Sequence, residues 1–173
     1  MIGYAQLGKR VVRVKSGDPA IFARADEEIS AARDAGVPIE IVPGITTATA
    51  AAAYLGTSLT KRGVARRVQM VTGHDVDGKL PEDLDIAALA DPGATTCVFM
   101  GKATFAALAE KLVAHGLSAE TPTVVVESLG SPPTTVMSGT LTEIAARLVA
   151  AKPQGPCMIL YGAALAGVGA IKV

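Results

Sequence analysis

VVRVKSGDPAIFARADEE, residues 11–28, passes in a single stretch from a β-branched run to a helical pattern through the turn Ser16-Gly17-Asp18-Pro19. In an open α/β sheet, a strand-to-helix turn is where backbone groups are offered to a ligand. Glycine lets the ligand approach the main chain, the Asp carboxylate accepts hydrogen bonds, and proline fixes the exit. The same four residues also describe a tight turn in which Asp18 is an ordinary cap, and the local sequence by itself favours that reading. Residues 1–15 are too few to supply the opening strands that such a sheet needs. The stretch is therefore expected to lie in an incomplete lobe.

Working outward, short β-branched runs alternate with Ala-rich helical patterns, which is the signature of an α/β chain with a mixed sheet. Strands are predicted at Arg10–Lys15, Ile39–Val42, Val68–Thr72, Thr95–Met100, Thr123–Glu127, Thr134–Ser138 and Met158–Tyr161. Helices are predicted at Ile21–Ala35, from Thr46 or Thr47 to Leu55, at Ala103–His115 and at Leu141–Ala151. Gly36, Gly56 and Gly116 stand where the first three should stop. Thr140 followed by Glu143 reads as a capping box for the last. Pro132-Pro133 before the run at 134 implies that this strand joins antiparallel, and residues 74–85 read as an exposed loop. A lobe boundary is expected in the basic, aperiodic stretch near residue 60, giving lobes of 1–60 and 61–173.

Composition excludes several function classes. Lys plus Arg and Asp plus Glu are balanced at 16 each, which offers no electrostatic case for nucleic acid or an acidic membrane. Aromatic residues are 3% and Trp is absent, against a base-stacking surface. Residues 1–7 lack a signal-peptide pattern and no apolar run reaches membrane-spanning length, so a soluble cytoplasmic protein is expected. Cys97 and Cys157 lie in apolar runs and read as buried reduced thiols. His74 and His115 have no ligand-like spacing to cysteine or carboxylate, so no metal site is expected.

Further candidates sit at other turns. Val42-Pro43-Gly44-Ile45-Thr46-Thr47 brings two hydroxyls to a helix N-terminus, where Thr46 serves either as a cap or as a ligand contact. Arg24, Lys61, Arg62, Arg66 and Arg67 could form a carboxylate-binding surface. For Arg66 and Arg67 a solvated face is the better reading, whereas Arg24 lies near the start of its helix, where the dipole gives a cation nothing. His74, just beyond a strand end, is placed to donate to a substrate or move a proton.

Taken in order, VVRVKSGDPAIFARADEE, EIVPGITTATAAAA, SLTKRG, VTGH, FMG, HG followed by TPTVVVE, and GPCMILYG resemble the tetrapyrrole methylase family over roughly the whole chain. The nearest resemblance is to uroporphyrinogen-III C-methyltransferases and the methyltransferase module of sirohaem synthase. It implies homodimers of two α/β lobes, with S-adenosylmethionine held between them and uroporphyrinogen III methylated at two ring carbons to precorrin-2. It places Ser16, Gly17, Asp18, Ile21, Thr46, Thr47, Met100 and the backbone near Leu129 around the cofactor, with Pro156, Cys157 and Met158 beside them. Arg24, Glu27, Arg62 and His74 fall at substrate positions, and Arg24 is the candidate catalytic residue. Ser16 and Ala23 stand where many members have glycine. Nothing matches the family's opening GxGPGDP loop, so the resemblance implies a chain that begins within its first lobe, binds cofactor weakly and exposes apolar surface there. The alternatives are a non-catalytic dimerisation or binding fragment and a same-fold methylase acting on another tetrapyrrole.

Overall fold

A computed structural model describes residues 1–169, so residues 170–173 of the second predicted lobe lie outside the described residues. The chain divides into two compact units, Met1–Thr47 and the remainder from Ala48 on.

The first unit contains helix α1, Ile2–Gln6, and helix α2, Ala25–Asp34. The helix predicted from Ile21 begins instead at Ala25, because Phe22 and Arg24 take left-handed φ values of 49° and 57°, which a right-handed helix cannot contain. Asp26, Glu27 and Glu28 then occupy its first turn, the favourable end for acidic groups. Ile21 and Phe22, placed on the inward stripe by periodicity, are exposed as a result. The strands predicted at Arg10–Lys15 and Ile39–Val42 are absent: both segments are irregular and pair with no strand among the described residues. An apolar run becomes a strand only when a neighbour completes its ladder. Val12, Val14, Ile41 and Val42 consequently remain exposed.

Helix α3, Thr47–Tyr54, leads into the second unit. There β1 (Arg67–Thr72), α4 (Ile86–Leu89), β2 (Ala94–Phe99), α5 (Phe105–Ala114), β3 (Pro122–Glu127), β4 (Thr135–Thr140), α6 (Leu141–Ala151) and β5 (Cys157–Tyr161) follow in order. The sheet order is β1-β2-β5-β3-β4. Strands β1 and β2 are parallel, β5 runs against both β2 and β3, and β4 runs against β3, as the diproline implied. The short helix α4 went unread in the sequence. Asp85 caps it, its Oδ1 accepting from the Ala88 N–H at 3.0 Å.

Both faces of the sheet are covered. Leu108 and Leu112 of α5 and Ile144 and Leu148 of α6 pack with Val98, Val125 and Ile159 on one face. Ala48, Ala51 and Ala52 pack with Cys97, Val124, Val126 and Leu160 on the other. Alternate strand residues thus enter opposite layers, which is why these strands read as unbroken apolar runs. Burial pushes the Cys97 thiol up to about 12, and Cys157 is likewise raised by burial, in keeping with inert reduced cysteines.

The capping box forms as read: Thr140 Oγ1 accepts from the Glu143 N–H at 3.3 Å, and Glu143 Oε2 accepts from the Thr140 N–H at 2.9 Å. Thr140→Ala is expected to cost about 1 kcal/mol of stability. A shifted urea midpoint with an unchanged slope checks this, and an unmoved midpoint would refute it.

Candidate functional site

In the first unit, two predicted ligand turns are locked to each other. Asp18 Oδ1 accepts from the Ala20 N–H at 2.8 Å, closing its own turn, and Oδ2 accepts from the Gly44 N–H at 3.0 Å across 26 residues. A Cβ on Gly44 would fall well inside van der Waals contact of the Gly17 carbonyl oxygen, so only glycine permits this approach. Thr47 Oγ1 lies 3.7 Å from the Cβ position of Gly17. Ser16, Gly17, Asp18, Thr46 and Thr47 are therefore gathered in one place, and Ile21 closes the turn by donating its N–H to the Asp18 carbonyl at 3.2 Å. Asp18 acts as the strut between the turns: both of its carboxylate oxygens accept backbone N–H groups, as the cap reading has it.

Arg24 and Glu27 also lie in this unit, joined by a two-pronged ion pair with Nε–Oε1 and Nη2–Oε2 both at 2.6 Å. The pair is exposed, and the Arg24 guanidinium holds the Glu27 carboxyl below its usual range. Lys15 and Arg13 both reach Glu28, at 2.8 and 3.3 Å, tying the segment before Ser16 to α2.

In the second unit, strand direction determines what meets. Since β5 opposes both β2 and β3, the carboxyl ends of β1, β2 and β3 and the start of β5 share a single edge, with Thr72 beside Phe99, Phe99 beside Met158 and Cys157 beside Glu127. His74, Met100, Leu129, Pro156, Cys157 and Met158 lie along that edge, though they are spread over 85 positions of sequence. A Cβ on Gly73 would meet the Gly101 Cα at 2.5 Å, so the VTGH and FMG turns are in backbone contact. The Gly73 N–H donates to the Phe99 carbonyl at 2.7 Å, and Thr104 Oγ1 donates to the Gly73 carbonyl at 2.5 Å. His74 Nδ1 is buried without a hydrogen-bond partner among the described residues. Arg62, on the turn closed by Lys61 and Ala65, is exposed and makes no ion pair among the described residues.

Of the five non-glycine residues with left-handed φ among those described, four are Phe22, Arg24, Met100 and Ser128. Each is a site candidate or adjoins one. Such conformations cost about 1–3 kcal/mol apiece and persist where surrounding structure imposes them, commonly at ligand sites. Lys102, Glu127 and Ser128, which build the edge in the second unit, were missed as site residues. Their signal was position alone, immediately beyond FMG and at the end of TPTVVVE. A cavity of about 240 Å³ lined by Asp91, Leu117, Thr121 and Tyr161 opens at the opposite edge of the sheet from His74, Met100 and Leu129, where Arg67 pairs with Asp91.

A mixed sheet that gathers glycine turns at the carboxyl ends of its strands defines an α/β protein of the class in which ligands are bound outside those ends. The chain belongs to the tetrapyrrole methylase family: the model of the Tetrapyrrole (Corrin/Porphyrin) Methylases matches residues 1–145. It is 41% identical over 162 residues to a siroheme synthase of Stutzerimonas stutzeri, covering 94% of this chain and 34% of that one. It is 38% identical to the chloroplastic S-adenosyl-L-methionine-dependent uroporphyrinogen III methyltransferase of Arabidopsis thaliana, covering 94% of this chain and 44% of that one. Among solved structures, uroporphyrin-III C-methyl transferase from Thermus thermophilus complexed with S-adenyl homocysteine superposes with a TM-score of 0.80 at 32% identity, covering 95% of this chain and 70% of that one. The chain thus spans about a third of the length of the siroheme synthases it matches. No helix among the described residues is long and apolar enough to cross a membrane.

Proposed function

We propose that this chain binds S-adenosylmethionine and takes part in C-methylation of uroporphyrinogen III to precorrin-2, as a cytoplasmic homodimer. The observation that carries the reading is the meeting of separate glycine turns in each unit: Ser16–Asp18 with Gly44–Thr47 in one, and Gly73-His74 with Met100-Gly101 in the other. The fit to such a ligand rests on those contacts. At Gly44 and Gly73 a Cβ would collide with the backbone of the facing turn, so the turns meet main chain to main chain, and the family relationship supports S-adenosylmethionine as their ligand. Ser16, Gly17, Asp18, Ile21, Thr46, Thr47, Met100 and Leu129 are the residues assigned to hold it. Residues 1–60 would then carry the cofactor and substrate lobe, and 61–173 the second lobe.

Bound S-adenosylmethionine supplies an electrophilic methyl group on a sulfonium sulfur. The residues of this chain bind, orient and exclude water, which is where most acceleration of an in-line displacement arises. Uroporphyrinogen carries eight carboxylates, which suits guanidinium forks. Arg24 spends two of its five N–H donors on Glu27 and keeps the rest for substrate, in an orientation fixed by that pair. Arg62 presents its whole fork. His74, at the carboxyl end of β1, is assigned to the substrate.

Calorimetry with S-adenosylhomocysteine and a methyl-transfer assay with uroporphyrinogen III test the proposal on the purified chain. Arg62→Met is expected to raise KM for the tetrapyrrole about tenfold or more, the loss of a charge-assisted hydrogen bond, with S-adenosylhomocysteine affinity unchanged. Arg62→Lys should recover part of that loss. A chain that neither binds S-adenosylhomocysteine nor transfers methyl would overturn the reading. Binding without transfer would leave a binding module in its place.

A further inference from the structure

Lys102 directs its ammonium at three consecutive backbone carbonyls, those of Pro153, Gln154 and Gly155, at 3.0, 2.9 and 3.0 Å. A lysine ammonium has three donors, so all of them are spent on a single turn. The placement is otherwise unfavourable, since Lys102 lies just before α5, at the end where the helix dipole repels a cation. From the other side, Glu127 Oε1 accepts from the Gly155 N–H at 2.8 Å, while its Oε2 accepts from Thr135 Oγ1 at 3.1 Å. The Ser128 N–H donates to the Pro156 carbonyl at 2.9 Å. The turn so gripped is a surface loop with Lys152, Gln154 and Pro156 exposed, and it delivers Pro156, Cys157 and Met158 to the sheet edge. Met100, held at a φ of 54°, is two residues before Lys102, and Ser128, at 57°, directly follows Glu127.

We propose that Lys102 and Glu127 are positioning residues, a cation and an anion that clasp the 153–155 turn from opposite sides and so fix Met100, Leu129 and Pro156 as one rigid wall of the S-adenosyl site. The inference rests on the S-adenosylmethionine reading of that edge. Charge-assisted hydrogen bonds to backbone are the strong kind, and a misplacement of about 1 Å in a binding wall is enough to cost one to two orders of magnitude in function. The clasp touches no ligand itself and acts through the loop it holds.

The test is S-adenosylhomocysteine affinity of the full chain by calorimetry, taken well below each variant's melting midpoint. Lys102→Met and Glu127→Met are each expected to weaken binding about tenfold. Glu127→Gln, which keeps an oxygen to accept from Gly155, is expected to stay within about twofold of the parent. The double variant Lys102→Met with Glu127→Met should lose less than the product of the two single losses, because both act on the same turn. Should Lys102→Met fail to fold, the contrast between Glu127→Met and Glu127→Gln decides the same question. Lowered melting midpoints with unaltered affinity would reduce the clasp to a structural role and overturn the proposal. A parent chain that does not bind S-adenosylhomocysteine removes the cofactor reading and the clasp together, whereas a binding parent with unaffected variants removes the clasp alone.

Discussion

Gly73→Ala is expected to destabilise the second unit by about 2–3 kcal/mol, the upper part of the usual range for overpacking. The added carbon would stand 2.5 Å from the Gly101 Cα and 3.0 Å from Val98 Cγ1. Neither neighbour can yield cheaply. Gly101 is backbone whose carbonyl accepts from the Thr104 and Phe105 N–H groups at 3.1 and 2.8 Å, and Val98 is a fully buried strand residue. The ends of β1 and β2 must therefore separate, breaking the bond from the Gly73 N–H to the Phe99 carbonyl and carrying His74 and Met100 apart. Against a total stability of about 5–15 kcal/mol this is a large fraction. S-adenosylhomocysteine affinity should fall by about a hundredfold at temperatures where the variant is still folded. Urea unfolding and calorimetry read the two effects. Gly3→Ala, with open space around its Cβ position in helix α1, is the control: it should leave affinity and the stability of the second unit unchanged, any gain in helix propensity falling on the first unit. A Gly73→Ala chain with parental stability and affinity would show that the turns do not depend on this contact.

Asp18→Ala is expected to act on affinity with little effect on the stability of the sheet. Its carboxylate holds the Ala20 and Gly44 N–H groups at 2.8 and 3.0 Å, the second across 26 residues. Bonds to a charged acceptor contribute about 1.5–3 kcal/mol each when shielded and less at a half-exposed position such as this. Loss of both should free the 16–19 turn from the 43–47 turn and weaken S-adenosylhomocysteine binding by roughly thirty- to a hundredfold. Asp18→Asn, which keeps one carbonyl oxygen as acceptor, should fall between. The urea midpoint of the sheet should move by no more than about 0.5 kcal/mol equivalent, since Asp18 lies outside the sheet and its packed faces. Equal affinity in Asp18→Ala and the parent would reduce the residue to an ordinary turn cap.

Local chemistry was legible wherever a segment's conformation depends on near neighbours. The Thr140–Glu143 box, the helices ending before Gly36, Gly56 and Gly116, and the apolar strands of the second unit all follow from signals within a few residues. The errors have equally physical causes. The runs at 10–15 and 39–42 carry strand composition but lack a ladder partner among the described residues. The stripe beginning at Ile21 has helical period, yet left-handed Phe22 and Arg24 delay the helix to Ala25. Periodicity reports which side chains prefer burial, and it carries no information about a main-chain conformation imposed from elsewhere.

Ser16–Pro19 was identified from the sequence by itself as a glycine turn between an apolar run and a helix, and the ordered motifs around it pointed to one family. The same reading placed Met100, Leu129 and His74 at strand ends. What it could not decide is that these ends lie on one edge, because that requires β5, last in the chain, to insert between β2 and β3 and run against both. Nor could it reveal that the Asp18 carboxylate grips Gly44, or that Lys102 and Glu127 hold the turn before Cys157. Those contacts join residues 26 to 53 positions apart. Hydrogen bonds over such distances exist only once loop closure has been offset by burial of the whole core, so tertiary structure is the level at which they are determined.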